Sequence, residues 1–288
     1  MNHKIAAVVV LYNPMNNVVD NIHSYSSQVQ KVIIVDNSDN ELSNDIKNHF
    51  LYENYIYIKN ETNKGIGYSL NIAAEMSMNM GYEYLLTMDQ DSRCSDGMIS
   101  KLAECFKTDK SVAICSPFHK NKFNTKNPSE TKFENVFDVM TSGNLLSLSA
   151  YKIVGKFNED YFIDYVDVEY CMRINLKELH IIRSNATLME HNEGDIKEKK
   201  LFYKMLYPYN HSVTRFYYKT RNRLYLKKEF YKLFPEYFNK REIKMYRNTI
   251  LKAILFEKRK LRKLVMIYRG FIDYKRNYKG KIPSEYIL

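Results

Sequence analysis

The sequence predicts an α/β fold built on a mostly parallel sheet with helices on both faces. Through the first 117 residues, short β-branched runs alternate with segments of helical pattern. The runs are apolar throughout rather than at every second position. Strands of a parallel sheet show this pattern because crossover helices bury them on both sides.

The elements follow in a regular order along the chain. We expect strands at residues 5–11, 31–36, 55–59, 84–89 and 111–117, and helices at 67–80 and 98–106. Residues 119–135 are polar and predict a long loop, and residues 136–149 predict two short strands around Ser142 and Gly143. Further on we expect a helix at 164–179, a strand at 181–184 and a loop at 189–195.

Composition limits the class of protein. The chain has 288 residues, of which 45% are hydrophobic and 27% are charged, as in folded globular proteins of one or two domains. The longest apolar run near the N-terminus has seven residues, against the roughly 20 that a membrane-spanning helix needs, so we expect neither a span nor a signal peptide. The four cysteines lack CxxC spacing, which predicts reduced thiols in a cytoplasmic protein.

The net charge of +11 is concentrated in one segment. Between Asn239 and Lys281 there are fifteen Lys or Arg and three acids, so the remainder of the chain is close to neutral. Residues 243–272 intersperse these cations with apolar side chains at helical spacing. This pattern predicts one amphipathic basic helix or a pair of them.

Polar residues follow four of the predicted strands. They are Tyr12-Asn13-Pro14, Asp36-Asn37-Ser38, Asn63-Lys64-Gly65 and Asp89-Gln90-Asp91. In open α/β sheets the carboxyl ends of the strands lie at one edge, and ligands bind there. We therefore expect these four clusters to form one site.

The Asp89-Gln90-Asp91 cluster is the most informative of the four. Residues i and i+2 of a strand face the same side, so both carboxylates can point into one pocket. Hard cations such as Mg²⁺ or Mn²⁺ take oxygen ligands and bridge to phosphates. A solvated acidic turn is the alternative, but its position after a buried strand favours a metal site.

Two other clusters have ordinary structural explanations as well. Asp36 ends a strand where an acid commonly binds a nucleotide, although Asp, Asn and Ser also favour caps and turns. Gly65 and Gly67 precede a helix, where free N–H groups can bind an anion, but they complete neither a P-loop nor GxGxxG. Each cluster alone leaves both interpretations open.

Eight segments occur in a fixed order along residues 5–226: VVLYNP, IIVDNSD, NKGIGYSLN, MDQDS, TSGNLLS, GKFNEDYFIDYVDVEYCMR, EHNEGD and YYKTRN. Together they resemble family-2 glycosyltransferases of GT-A (Rossmann-like) fold, and most of all bacterial rhamnosyltransferases of polysaccharide synthesis. The resemblance implies a catalytic domain at 1–226, with a nucleotide-binding half at 1–117 and an acceptor half at 118–226. Residues 227–288 would then form a basic helical C-terminal region.

The resemblance also implies roles for particular residues. Asp91 would be the principal ligand of Mn²⁺ or Mg²⁺, with Asp89 and His191 assisting, and Asp89 would also meet the ribose. The residues implied in binding the nucleotide-sugar are Tyr12, Asn13, Asp36, Asn63, Lys64, Gly65, Asp89, Arg221 and Asn222. A structural role for His191, and an exposed basic helix around Arg221, remain the alternatives.

In this family an acidic pair ahead of a helix supplies the general base. The usual Glu-Asp doublet is Val166-Asp167 here, so Asp167 is the implied base. Asp164 is implied as a residue that orients the acceptor or, second to Asp167, as the base, with Ser142 and Gly143 in support. Against this, Asp164 can simply cap the helix, and Glu169 with Arg173 forms a favourable i,i+4 pair.

The resemblance implies an inverting, metal-dependent transfer of L-rhamnose from dTDP-L-rhamnose to a glycan or lipid-linked acceptor, in synthesis of O-antigen, capsule or a similar cell-surface polysaccharide. A UDP-hexose donor is the alternative within the fold. A nucleotidyltransferase is the alternative from another class, but it would leave Asp167 and His191 without roles. A non-catalytic membrane-binding module would not explain the strand-end clusters.

The basic C-terminal region has three interpretations. It packs on the catalytic domain or on a second subunit as a homodimer, it lies on an anionic membrane surface, or it binds nucleic acid. The first two are compatible with each other. The lipid-linked acceptor that the resemblance implies would need an enzyme that faces the membrane, which we expect to be cytoplasmic and on the inner face of the bacterial plasma membrane. No recognised nucleic-acid motif accompanies the charge, so we expect no nucleic-acid partner.

Overall fold

The computed structural model describes residues 3–120, 128–190, 199–201, 204–208 and 210–287. The chain divides into two compact units. Unit 1 comprises Met1–Glu159 and Val166–His191, and unit 2 comprises Asp160–Tyr165 and Asn192–Leu288. We describe each unit by itself.

Unit 1 contains the predicted α/β sheet. Its strands are β1 (Ile5–Leu11), β2 (Lys31–Asp36), β3 (Tyr55–Lys59), β4 (Tyr84–Asp89), β5 (Val112–Lys120), β6 (Phe133–Asn135), β7 (Asn144–Ser147) and β8 (His180–Glu190). The order across the sheet is β3-β2-β1-β4-β7-β5-β8-β6. The first four strands are mutually parallel, and β7 runs antiparallel to both of its neighbours, β4 and β5.

Seven helices belong to the described part of unit 1. They are α1 (Val18–Ser26), α2 (Asn44–Asn48), α3 (Ile66–Asn79), α4 (Met98–Ala103), α5 (Cys105–Thr108), α6 (Leu148–Val154) and α7 (Val166–Leu176). On β1, Ala6 and Ala7 are both fully buried although they face opposite sides of the sheet. Burial of consecutive residues is what a sheet covered on both faces requires, so the predicted fold class is confirmed.

The second half of unit 1 departs from the prediction in detail. The two short strands expected at 136–149 are one strand, β7, followed at once by helix α6. Ser147 caps this helix by accepting the amide of Ala150 at 3.4 Å. The expected loop at 119–135 includes β6, which pairs with β8, and β8 continues to Glu190. These short strands form by pairing with distant segments, which local pattern does not reveal.

Unit 2 is mainly helical. The hairpin strands β9 (Lys199–Leu201) and β10 (Lys204–Leu206) precede α8 (Val213–Phe230), α9 (Ile243–Phe256) and α10 (Lys260–Lys275). The basic segment is therefore a pair of helices, one of the two predicted forms. The predicted domain boundary after residue 226 lies inside α8. None of the helices in the described residues is long and apolar enough to span a membrane.

The cysteines differ from the prediction. Cys105 and Cys115 form a disulfide between α5 and β5, with their Cα atoms 6.5 Å apart. The expectation of four reduced thiols is therefore wrong for this pair, while Cys94 and Cys171 are free and buried. Spacing alone missed the pair because it contains no CxxC, and the sheet brings the two residues together.

Candidate active site

The ends of the parallel strands meet as the sequence predicted. Asp36, the last residue of β2, pairs in register with Leu11 on one side and with Lys59 on the other. Asp89, the last residue of β4, pairs with Val10. The polar residues that follow β1, β2 and β4 consequently lie along one edge of the sheet.

Hydrogen bonds join the loops after β1 and β2. The side chain of Asn13 donates to Asp39 Oδ2 at 3.1 Å and accepts the Asp39 amide at 3.2 Å. The Asn13 amide donates to Ser38 Oγ at 2.8 Å, and the Tyr12 hydroxyl donates to Asp39 Oδ2 at the same distance. Asn13 holds its place with a left-handed backbone (φ 44°), which asparagine tolerates better than most residues. Tyr12 remains half-exposed.

Gln90 connects the loop after β1 to the acidic loop. Its side-chain oxygen accepts the amide of Tyr12 at 2.8 Å, and its side-chain nitrogen donates to the Tyr12 carbonyl at 3.3 Å. The central residue of the Asp-Gln-Asp cluster thus links the ends of β1 and β4 by hydrogen bonds. Its position between two acids is the only sequence signal that marks it.

Asp36 is fully buried and already bonded. Its carboxylate accepts the Tyr57 hydroxyl at 2.6 Å and the Ser38 amide at 2.8 Å, and Lys59 Nζ lies 3.4 Å away. Burial, followed by the bond to Asp36, raises the pKa of Tyr57, so this phenol stays a donor at neutral pH. The structure therefore shows Asp36 shaping the turn after β2.

Asn37 attaches the glycine-containing loop to the end of β2. Its side-chain oxygen accepts the amide of Lys64 at 3.2 Å, and its side-chain nitrogen donates to Ser69 Oγ at 3.0 Å. Asn63 folds back within this loop and accepts the Gly65 amide at 2.9 Å. Gly65 has φ 87°, a backbone conformation that is unfavourable for residues with a side chain. The predicted residues 63–65 are thereby fixed beside the strand ends.

The second glycine of that motif has a packing role. A Cβ on Gly67 would lie 3.0 Å from the carbonyl oxygen of Asn158, so glycine permits close approach of the two backbones. Four positions further along α3, Asn71 accepts the amide of Phe157 at 2.8 Å and donates to its carbonyl at 3.0 Å. The motif therefore builds the loop and also anchors the segment around residue 158.

Ser142 and Gly143 support the end of β4. Ser142 Oγ accepts the amide of Asp89 at 3.0 Å and donates to Ser92 Oγ at 2.9 Å. Gly143 has φ 82°, and a Cβ there would lie 2.3 Å from Met189 Sδ. These two residues hold the backbone on which Asp89 and its neighbours stand.

The acidic pair has the oxygen chemistry of a hard-metal site. Asp89 is half-buried, and Asp91 is exposed. Within the described ranges, no three His, Cys, Asp or Glu side chains are grouped so as to hold a metal. Two carboxylates fit a divalent cation whose remaining ligands come from a bound phosphate or from water. The third predicted ligand, His191, lies outside the described residues.

Asp167 stands in the first turn of α7. Its Oδ1 accepts the amide of Val168 at 2.9 Å, and the residue is partly buried. It lines a small cavity of about 10 Å³ together with Thr87 of β4 and Asn144 of β7. Thr87 lies two residues before Asp89, so unit 1 brings the predicted base close to the strand that carries the acidic pair.

Asp164, in unit 2, is buried and forms ion pairs with Arg215 and Lys219. Its carboxylate accepts Arg215 Nη2 at 2.5 Å and lies 3.0 Å from Lys219 Nζ. Burial by itself would raise its pKa, but the charges of Lys219 and Arg215 outweigh burial and hold the pKa well below its usual value. A carboxylate with so low a pKa is a poor proton acceptor, which favours Asp167 over Asp164 as the base.

Arg221 and Asn222 are structural in this arrangement. Both are fully buried in unit 2. The Arg221 guanidinium donates to the carbonyls of Gly280 and Asp160, at 2.7 and 3.2 Å. The Asn222 amide donates to those of Tyr161, Ile163 and Asp164, at 2.8 to 2.9 Å. The predicted contact of these two residues with the nucleotide-sugar is therefore not seen, because the donor groups of both side chains are enclosed and hydrogen-bonded within unit 2.

These bonds hold a strained segment. Within residues 160–165, three residues other than glycine have positive φ: Phe162 (63°), Asp164 (63°) and Tyr165 (67°). Such residues persist where surrounding contacts over-determine them, and they concentrate at functional sites. Asp167 follows this segment by two residues.

Comparison with known proteins identifies the family. Residues 6–166 match the model of glycosyl transferase family 2. The chain is 31% identical over 247 residues to dTDP-rhamnosyl transferase RfbF of Shigella flexneri, covering 78% of this chain and 80% of that relative.

Solved structures share the fold. One is GalNAc-T7 with UDP, GalNAc and Mn²⁺, with a TM-score of 0.62 at 10% identity over 96% of this chain, which spans 58% of that chain. Another is S. aureus TarS 1-349 in complex with UDP-GlcNAc, with a TM-score of 0.56 at 15% identity, covering 98% of this chain and 82% of that one. The fold, the family model and the relative agree, and the chain belongs to glycosyl transferase family 2.

Proposed function

We propose that this glycosyltransferase is an inverting, metal-dependent enzyme that moves L-rhamnose from dTDP-L-rhamnose to a hydroxyl of a glycan or lipid-linked acceptor in cell-surface polysaccharide synthesis. The observation that carries the proposal is the acidic pair Asp89 and Asp91, at the end of a buried strand beside three other polar strand ends. The 31% identical relative, a dTDP-rhamnosyl transferase, supports the choice of donor.

In this proposal the nucleotide lies along the loops after β1, β2 and β3. Tyr12, Asn13 and Asp36 border the base, and residues 63–65 border the rest of the nucleoside. Asp91 and Asp89 would hold Mn²⁺ or Mg²⁺, with His191 assisting. A divalent cation held there would supply positive charge to the diphosphate as it leaves.

The chain's own contribution to the transfer is a proton acceptor. Asp167 takes the proton from the acceptor hydroxyl, whose oxygen then attacks the anomeric carbon from the face opposite the diphosphate. This geometry inverts the anomeric configuration. Ser142 and Gly143 support the reaction indirectly, since they hold the end of β4.

A UDP-hexose donor is the second candidate. Two of the solved structures that share the fold were determined with UDP or UDP-GlcNAc. A UDP-hexose and dTDP-L-rhamnose both carry a diphosphate on a pyrimidine nucleoside. Changes in pocket shape alone would distinguish the sugars, so the nucleotide must be tested directly.

The test is a thermal-shift measurement against dTDP, UDP, GDP and ADP, with and without Mn²⁺. A ligand that binds only the folded state raises its melting temperature. We expect the greatest rise with dTDP and Mn²⁺ together. Asp91→Asn should abolish the Mn²⁺-dependent part of the rise, whereas Asp96→Asn, an exposed acid of the same loop, should leave it unchanged. If dTDP raised the melting temperature equally with and without Mn²⁺, and also in Asp91→Asn, the proposed metal role would be refuted. A larger rise with UDP than with dTDP would refute the proposed donor.

A further inference from the structure

Helix α10 buries a largely polar face and exposes an apolar one. Its buried face consists of Lys263, Met266, Gly270 and Asp273, spaced at three and four residues. The opposite, exposed face is an apolar stripe, which we define as Leu261, Leu264, Val265, Tyr268 and Phe271. A helix packed on a core ordinarily buries its apolar stripe and exposes its charges.

The contacts of α10 explain why the polar face is the buried one. Lys263 forms an ion pair with Glu257 and lies 5.0 Å above the ring of Phe216. Asp273 accepts the hydroxyl of Tyr217 at 2.8 Å. A Cβ on Gly270 would lie 2.6 Å from the carbonyl oxygen of Tyr217, so α10 and α8 touch backbone to backbone. The orientation of α10 is therefore determined by specific contacts, and the stripe is left outside.

The stripe is widely exposed, and the preceding helix α9 also exposes apolar side chains. Leu261 is 78% exposed and Tyr268 is 64% exposed. On α9, Met245, Leu251 and Leu255 are each more than half exposed, and Ala253 is its one buried residue. Single exposed apolar side chains need no explanation, but a stripe of five along one face of a helix marks an interaction surface.

We define the basic surface as residues 243–276 of α9, α10 and the turn between them. All of its exposed charged side chains are positive. The two acids within residues 243–276, Glu257 and Asp273, are both buried. The exposed cations of the same segment are Lys244, Arg247, Lys258, Arg259, Lys260, Arg262, Lys275 and Arg276. Lys258 and Arg259 stand in the turn between α9 and α10, and Lys260 and Arg262 flank Leu261 in the first turn of α10.

We propose that this surface docks the enzyme onto an anionic lipid bilayer, with the apolar stripe of α10 in the headgroup region and the four cations around Leu261 on lipid phosphates. The combination of an apolar face flanked by Lys and Arg is that of an interfacial helix. Each cation near an anionic surface contributes attraction that salt screens. A second copy of the chain is disfavoured as the occupant, because two copies would bring only positive charges together. The inference does not depend on the donor sugar.

The experiment is co-sedimentation of the full chain with lipid vesicles. We expect binding to vesicles of phosphatidylcholine with roughly 30% phosphatidylglycerol, weak binding to pure phosphatidylcholine, and loss of binding when salt rises from about 0.1 M to about 0.5 M. Lys258→Gln, Lys260→Gln and Arg262→Gln combined should lower the partition coefficient at least about tenfold. Leu261→Ser with Tyr268→Ser should lower it through the apolar face alone.

Matched controls separate this surface from general charge and hydrophobicity. Lys101→Gln, Lys107→Gln and Lys110→Gln remove three exposed cations of unit 1, and Leu51→Ser with Ile153→Ser removes two exposed apolar side chains there. Both controls should bind vesicles as the unaltered chain does. Equal losses in control and test variants, or no binding to anionic vesicles, would overturn the proposal. So would a dimer in sedimentation equilibrium that Leu261→Ser with Tyr268→Ser converts to a monomer without any vesicle binding.

Discussion

Ser142 Oγ accepts the backbone amide of Asp89 at 3.0 Å, across 53 residues of sequence. The same hydroxyl donates to Ser92, whose own amide donates to the Asp89 carbonyl at 3.2 Å. One buried hydroxyl thus fastens both ends of the acidic loop. The geometry of Asp89 and Asp91 therefore depends on a residue that no ligand has to touch.

Ser142→Ala should weaken the fold and the acidic loop together. It removes a buried acceptor and leaves the Asp89 amide without it, which costs about 1–3 kcal/mol in the free energy of unfolding. Urea denaturation measures this loss, and we expect weaker dTDP binding in the presence of Mn²⁺. Ser27→Ala, at an exposed position, is the control. Unchanged stability and nucleotide binding in Ser142→Ala would show that the bond is dispensable.

Gly143→Ala tests the close packing behind β4. A Cβ would meet Met189 Sδ at 2.3 Å and Pro117 Cγ at 2.9 Å, in addition to the strain of φ 82°. Gly81→Ala is the matched control, because Gly81 has φ 78° and nothing within 4 Å of the added atom. We expect a loss of about 1 kcal/mol for the control, from backbone strain alone. Gly143→Ala should lose about 1–3 kcal/mol more, from overpacking. Equal losses measured by urea denaturation would mean that the neighbours of Gly143 move aside without cost.

Asp167→Asn should remove the proposed general base while leaving the donor site intact. The change keeps size and hydrogen bonding but cannot accept a proton at neutral pH. We expect the rate of dTDP release from dTDP-L-rhamnose to fall about 10²–10⁴-fold, with the nucleotide thermal shift preserved. Glu178→Gln, an exposed acid beyond the same helix, should have the rate of the unaltered chain. An undiminished rate in Asp167→Asn would exclude this residue as the base.

Asn222→Ala should destabilise unit 2 through its backbone. The change leaves the carbonyls of Tyr161, Ile163 and Asp164 without the amide that they share, which costs about 2–4 kcal/mol in the free energy of unfolding. Asn248→Ala, on the exposed side of α9, should be nearly neutral. Thermal melting compares the two. A variant of full stability that had lost only nucleotide binding would restore the role first predicted for Asn222.

His211 should make stability depend on pH. Burial, followed by the charges of Lys219 and Arg215, lowers its pKa to about 3 from the ordinary 6.5. Between these values the unfolded chain binds a proton that the folded chain does not, so this contribution is present above pH 6.5 and is lost as the pH falls towards 3. His211→Asn should therefore lose less stability between about pH 7 and about pH 5 than the unaltered chain. Urea denaturation at both pH values measures this, with the exposed His23→Asn as control. Identical losses in His211→Asn and the unaltered chain would contradict the prediction.

The sequence by itself determined the sheet and its functional edge. The first four strands have the predicted bounds, because uninterrupted apolar runs leave only one way to bury both faces. Parallel connection then brings the strand ends together, so Asp36 and Asp89 could be assigned to one edge before any coordinates. The ordered motifs added the family, which no single motif could indicate.

Tertiary structure decided which polar residues are exposed at that edge and which are enclosed. Arg221 has the right chemistry for a phosphate, yet its guanidinium binds carbonyls 59 to 61 residues away in sequence. Helix α10 has a periodicity that fits either orientation, and its contacts with Tyr217 placed the apolar side outward. In both cases the residue type sets the available chemistry, but the partner is a distant backbone or side chain. Only the folded chain brings those partners within bonding distance.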